Sequence, residues 1–139
     1  MVRQVLNSEE IQLVQQSWSK VEDRQHLIGE AFYHLLFETY PSLKPLFRSD
    51  MEKQKKLLVN MVDKGVKLLS DTDKLEIALY NLGKRHRKYG VKEEHFPYVG
   101  ETLLKVLKQF LGDELDEKSL NAWEAIYQYW VVFMLDGMK

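Results

Sequence analysis

The stretch Leu82 to Val91, LGKRHRKYGV, decides how the rest of the chain is read. Leu75, Leu79, Leu82, His86 and Tyr89 recur at helical spacing, so a histidine continues an apolar stripe. Lys84, Arg85, Arg87 and Lys88 take the other sides of the same helix, and Gly90 supplies the left-handed residue on which helices end. A neutral imidazole on an oily face either fills core space with a hydrogen bond or ligates a metal or haem iron. Taken alone, the packing role is the commoner one. The flanking segments supply the pattern that reverses it.

Outward from this helix, Thr72 or Asp73 is placed to cap its start, with Glu76 an acid near that end. Beyond it, the spacing predicts a helix over Glu93 to Leu111, with Pro97 in its first turns, an inner face of Val99, Leu103, Val106, Leu107 and Phe110, and Gly112 as its stop. A final helix has Asp116 as cap and continues through Trp123, Ile126, Tyr127, Trp130, Val131 and Met134.

Toward the N-terminus, Asn7 and Glu10 form a capping box for a helix over about Ser8 to Val21, whose apolar face includes Ile11, Leu13, Val14 and Trp18. After a polar break at Glu22 to Gln25, a second helix carries Leu27, Ile28, Ala31, Phe32, Leu35 and Leu36 until Tyr40-Pro41 stops it. Gly29 allows another helix to approach it closely. Tyr33, Leu36, Phe37 and Tyr40 define an adjacent stripe, which places a phenol where it needs a partner. The segment PSLKPLF, Pro41 to Phe47, reads as a short helical corner that turns Phe47 inward. Ser49 to Glu52 then forms an S-x-x-E capping box opening a third helix through about Leu69, its buried face being Leu57, Leu58, Met61, Val62, Gly65, Leu68 and Leu69. Gln54 sits one turn earlier on that face, either at a rim or serving a buried polar ligand.

No segment alternates with strand period, and no repeat or low-complexity run interrupts the helices. The chain therefore reads as all-α, with six long helices plus the corner, in a single domain spanning 1–139. Its 139 residues, 45% hydrophobic, suffice for one core and not for two. A net charge of −1 gives no broad reason to expect nucleic acid or an anionic membrane. The absence of cysteine excludes disulfides, thiolate metal sites and thiol catalysis, and fits a reducing compartment. With no run of about 18 apolar residues and no signal-peptide pattern, the expected location is the cytoplasm. His26 and His34 read as surface residues and His95 as a loop or first-turn residue. No H-E-x-x-H spacing or nucleophile elbow supports a hydrolase.

An inward histidine, a glutamine on an apolar face, a buried tyrosine and a proline-led corner ending in phenylalanine occur together in one helical chain. In that combination the sequence resembles the globins over essentially its whole length, and most closely the bacterial single-domain globins and the haem domain of flavohaemoglobins. The resemblance rests on Pro41 with Phe47, on LGKRHRKYGVKEEHFPYVGE around His86, and on AWEAIY in the last helix. It implies a globin fold around a haem pocket, with haem b held non-covalently. His86 would then be the iron ligand, Phe47 the ring against the haem, and Leu58 the apolar distal wall. Tyr33 and Gln54 match the residues that such globins place on the ligand side, and Val99, Trp123 and Tyr127 would line the haem from the last two helices.

Two positions depart from the flavohaemoglobin pattern: Phe96 stands where those proteins have tyrosine, and Met138 where they have glutamate. Without that hydrogen-bonded network, the second nitrogen of His86 is expected to bond a backbone carbonyl about one turn back, that of Leu82. The resemblance implies reversible dioxygen binding for storage, delivery or scavenging. The alternative it carries is a nitric oxide dioxygenase drawing electrons from an external reductase, because the 139 residues leave no room for a reductase domain. A helical interaction module without cofactor is the third reading.

Overall fold

A computed structural model describes residues 6–47 and 50–139. Six α-helices account for most of them: α1 (Ser8–Ser19), α2 (Gln25–Thr39), α3 (Met51–Lys67), α4 (Thr72–Lys88), α5 (Phe96–Leu111) and α6 (Glu117–Met138). The corner Pro41–Leu46 is a 3-10 helix, as its two prolines require, and it follows Tyr40 directly. Together with the absence of strands among the described residues, this is the expected all-helical architecture of six long helices and a corner.

The helix starts follow their side-chain acceptors. Asn7 Oδ1 accepts from the Glu10 N–H at 2.7 Å to complete the capping box of α1, and Asp116 Oδ1 accepts from the Ser119 N–H at 2.8 Å at the start of α6. At α4 the cap is Asp71, one residue earlier than Thr72 or Asp73, because its carboxylate reaches the Lys74 N–H. Asp50 caps α3 by accepting from Glu52 N at 3.0 Å, while Ser49 of the expected box lies outside the described residues. Pro97 falls in the first turn of α5, where its missing N–H costs nothing.

The inner face of α3 differs from the expected one. Val59, Val62, Gly65, Val66 and Leu69 are buried, Leu58, Met61 and Leu68 flank them half-buried, and Leu57 is 44% exposed. Leu57 lies nearly opposite Val59 and Val62 around a 3.6-residue helix, so burying the valine stripe turns it to solvent. Tyr89 likewise leaves the stripe of α4 and is 64% exposed, since the helix has ended and Tyr89 is its C-cap.

The tertiary arrangement is that of crossed helix pairs. α4 lies along α6, α1 packs on α6 and α3, and α2 crosses α3 and α5. Although α3 and α4 are consecutive, they do not pack on each other along their lengths among the described residues. The core that surrounds them is rich in aromatics, with Trp18, Trp123, Phe32, Tyr33, Tyr127, Tyr129 and Trp130 all buried.

Candidate functional site

His86 sits three residues before the C-cap of α4, and the helix end is built on it. Gly90, at φ +84°, turns the chain so that the Val91 N–H donates to the His86 carbonyl at 3.1 Å and the Gly90 N–H donates to that of Arg87 at 3.1 Å. This is a Schellman closure, and it ties the backbone of His86 to the residue after the turn. The His86 ring is half-buried, and its Nδ1 lies 2.8 Å from the Leu82 carbonyl oxygen one turn back. A carbonyl only accepts, so Nδ1 carries the proton of the neutral ring and the lone pair is on Nε2. Burial holds the imidazole below its ordinary pKa, Arg85 adds to that, and the Leu82 bond pulls the other way without outweighing them. The result is a neutral imidazole with one nitrogen oriented by its second bond, as the departure at Phe96 and Met138 predicts.

Phe96 takes the place beside this ring. Its ring stacks on His86 at 6.3 Å between centroids and 28° between planes. Tyr127 of α6 donates its hydroxyl to the Phe96 carbonyl at 2.6 Å, and its ring lies so close to Gly100 that a Cβ there would sit 2.4 Å from it. Tyr127 therefore locks the start of α5, and with it Phe96, against α6. Val99, half-buried, follows Phe96 by one turn on the same helix.

On the other side, α2 and α3 cross at Gly29, where an added Cβ would lie 3.0 Å from the Lys55 carbonyl oxygen. Tyr33 is one turn beyond Gly29 on α2, and Gln54 and Leu58 flank Lys55 on α3. Gln54 and Leu58 are half-buried there. Tyr33 is only 5% exposed, and its ring meets Phe32, Phe37 and Phe47, the last at 5.3 Å in a T-shaped contact. The corner thus does turn Phe47 inward, onto Tyr33. No hydrogen-bond acceptor among the described residues meets the Tyr33 hydroxyl, and burial pushes its pKa far up, so the phenol stays protonated and is a donor.

Trp123 has protein partners on the α1 side. Its indole N–H donates to Ser17 Oγ at 2.7 Å, and its ring stands edge-on to Trp18 and Trp130 at 6.1 and 6.3 Å. That is a packing position in the α1–α6 interface, where the Ser17 hydroxyl satisfies the donor that a buried indole must place. The sequence resemblance marks Phe96 as the position where flavohaemoglobins carry a tyrosine of the histidine's hydrogen-bonded network, and its ring stacks on His86.

Fold and side chains together give an all-helical protein with a neutral imidazole near the end of α4 and a buried, protonated phenol on α2. The chain belongs to the globin family, whose model, described as Globin, matches residues 30–134. It is similar to an uncharacterized globin-like protein of Aquifex aeolicus, at 30% identity over 125 residues covering 90% of this chain and 88% of that one. It is also 27% identical over 126 residues to a flavohemoprotein of Bacillus subtilis, covering 88% of this chain and 32% of that protein, so it spans about a third of that relative's length. Among solved structures, a bacterial globin from Campylobacter jejuni superposes with a TM-score of 0.82 at 31% identity, over 95% of this chain and 96% of that one.

Proposed function

We propose that the chain is a haem protein that binds dioxygen reversibly, in which His86 would hold the iron and Tyr33 and Gln54 would donate to the bound gas. The observation that carries this reading is the His86 to Leu82 bond, which leaves Nε2 as a neutral donor from within the fold. The donor set fits haem better than a bare metal ion. Among the described residues, no three His, Cys, Asp or Glu side chains converge as a zinc site would require, whereas haem needs a single protein ligand. With no cysteine to form thioether links, the group would be haem b, held by packing and His86.

Bound iron protoporphyrin supplies an open coordination position for a diatomic gas. The protein's part is to exclude water and place donors. Leu58, Val99 and Phe47 provide apolar surface, and the Tyr33 hydroxyl, protonated and held by three aromatic neighbours, is a preorganised donor for a ligand oxygen carrying partial negative charge. The test is titration of the purified chain with haemin. The expected result is one equivalent taken up with an intense Soret band, followed by reversible oxygenation of the reduced protein. A chain that takes up no haem is the cofactor-free helical module instead.

A second reading, nitric oxide dioxygenase, is favoured by the match to flavohemoproteins over about a third of their length. Turnover in that role needs electrons from a reductase outside these 139 residues. The same Tyr33 and Gln54 donors serve both readings, so kinetics with and without a reductase separate them. No described helix is long and apolar enough to cross a membrane, and the chain's role is read as that of a cytoplasmic protein.

A further inference from the structure

The three tryptophans of the chain form a row through the core. Trp18 of α1 and Trp123 of α6 have ring centroids 6.1 Å apart, and Trp123 and Trp130 6.3 Å. Tyr127 stands 6.5 Å from Trp130 and donates its hydroxyl to the Phe96 carbonyl, and Phe96 stacks on His86. Contacting groups thus run without a break from His86 to Trp18. Packing accounts for the rings, but not for the order of their hydrogen-bond acceptors. Trp130, whose ring lies against Gly65, has a buried N–H with no partner among the described residues. The Trp123 N–H meets a neutral hydroxyl, Ser17 Oγ, at 2.7 Å. The Trp18 N–H meets a carboxylate, Asp63 Oδ1, at 2.9 Å, and Lys67 holds the other oxygen at 3.0 Å. A buried donor left unmatched costs stability, so its place in a row of indoles asks for another reason.

With no cysteine in the chain, a one-electron oxidation of the core falls on its indoles and phenols. An indole that loses an electron becomes positively charged and a strong acid at Nε1. Trp130 offers that charge and that proton nothing, and Trp123 offers a hydroxyl that is too weak a base. Trp18 offers an anion that offsets the charge and accepts the proton. The oxidised state is therefore least stable on Trp130 and most stable on Trp18. We propose that Trp130, Trp123 and Trp18 are a one-electron relay, which draws an oxidising equivalent away from the neighbourhood of His86 and delivers it to the partly exposed Asp63 at the edge of the fold. The natural oxidant, hydrogen peroxide acting at the haem, rests on the function proposed above; the relay itself does not. Breaking the O–O bond of one peroxide to give two waters takes two electrons, and two protons from solvent. Each electron leaves Trp18 through Trp123 and Trp130, while the Nε1 proton of Trp18 passes to Asp63 and out to solvent. A soluble reductant of the ascorbate class then returns an electron and a proton to the indole.

The full chain loaded with haemin is mixed with hydrogen peroxide, frozen within the first turnover for electron paramagnetic resonance, and mapped for oxidised peptides. In a second arm the chain without haem is excited at the red edge of its indole absorption with a cobalt(III) ammine as electron acceptor, which creates the oxidised indole with no cofactor. The expected result in both arms is an indole radical, with oxidation products on the Trp18 peptide. Trp18→Phe loses that radical, and Asp63→Asn shifts the products back toward Trp123 and Trp130, because an amide does not take the proton. In the peroxide arm Trp123→Phe shifts them to Trp130 and Tyr127. Thermal melts confirm that each variant folds, and Asp63→Asn, which keeps a hydrogen-bond acceptor for Trp18, carries the test if Trp18→Phe does not fold. Oxidation spread evenly over the three tryptophans, or settled on Trp130 or a tyrosine, overturns the proposal, as does a Trp18 product indifferent to Asp63→Asn. A chain that takes up no haemin defeats the haem reading alone, and the light-driven arm then decides the relay by the same criteria.

Discussion

Gly83 of α4 and Met134 of α6 meet backbone to backbone: a Cβ on Gly83 would lie 2.0 Å from the Met134 carbonyl oxygen. The contact is reciprocal, since a Cβ on Gly137 would lie 2.0 Å from the Tyr80 carbonyl oxygen. Real atoms do not approach so closely, so any side chain here pushes the two helices apart. Gly83 is one residue after Leu82 and three before His86, which makes this contact the clamp that sets the height of the turn carrying His86.

Gly83→Ala is therefore expected to destabilise the fold by about 1–3 kcal/mol or more, because the obstruction is backbone and cannot rotate away. Its haem affinity should fall with it, through displacement of α4. Denaturant unfolding of the chain with and without haem checks both, and an unchanged midpoint would show that the helices can separate without cost.

Removing the imidazole tests the ligand directly. His86→Ala is expected to abolish stable haem retention and restore it partly with added imidazole, whereas His34→Ala, an exposed residue, should leave the Soret band unchanged. The wild-type protein should also melt higher with haem than without, by linkage of binding to folding. Retention of haem by His86→Ala without imidazole would assign the ligand elsewhere.

Loss of the phenol should be felt in the dissociation of dioxygen. A hydrogen bond to a partly charged ligand contributes roughly 1.5–3 kcal/mol, so Tyr33→Phe should speed dioxygen release by about ten- to a hundredfold, with Gln54→Leu having the smaller effect. Stopped-flow release rates that do not respond to Tyr33→Phe would place its hydroxyl away from the ligand.

The Trp18 indole N–H donates to Asp63 Oδ1 at 2.9 Å, joining α1 to α3. Asp63→Ala leaves that buried donor unmatched and should cost about 1–3 kcal/mol, while Asp63→Asn keeps an acceptor and should cost less. Burial pushes the Asp63 carboxyl up, but the bonds from Trp18, Lys67 and Gln25 outweigh it and hold the pKa below the ordinary value. A depressed carboxylate pKa contributes stability that is present above the unfolded value of about 3.9 and is lost as the pH falls through the folded one. Melting temperature followed down from pH 5 should consequently fall less steeply for Asp63→Asn than for wild type.

If the dioxygenase reading holds, the oxygenated protein should consume one equivalent of nitric oxide rapidly, yield nitrate and stop until a reductase is added. Slow consumption, or loss of dioxygen without nitrate, would leave storage or delivery as the function. Sustained turnover without a reductase would contradict the electron supply argued above.

The sequence by itself determined the helices, the caps at Asn7 and Asp116 and the inward histidine, because capping boxes, glycine stops and 3.6-residue periodicity are local and hydrogen bonds within one helix need no partner element. Even the bond from His86 to Leu82 was readable, since a residue four back on a helix is always within reach. Tertiary structure decided which stripe of a doubly apolar helix is buried. It turned Leu57 outward in favour of Val59 and Val62, and took Trp123 to Ser17 at the α1–α6 interface. It also decided what lies beside the histidine: Phe96 reaches the imidazole only because Tyr127 holds the start of α5 against α6, and α4 carries His86 at that level only because Gly83 and Gly137 let two backbones touch. Those contacts join residues far apart in the chain, and a spacing rule reads only along one helix.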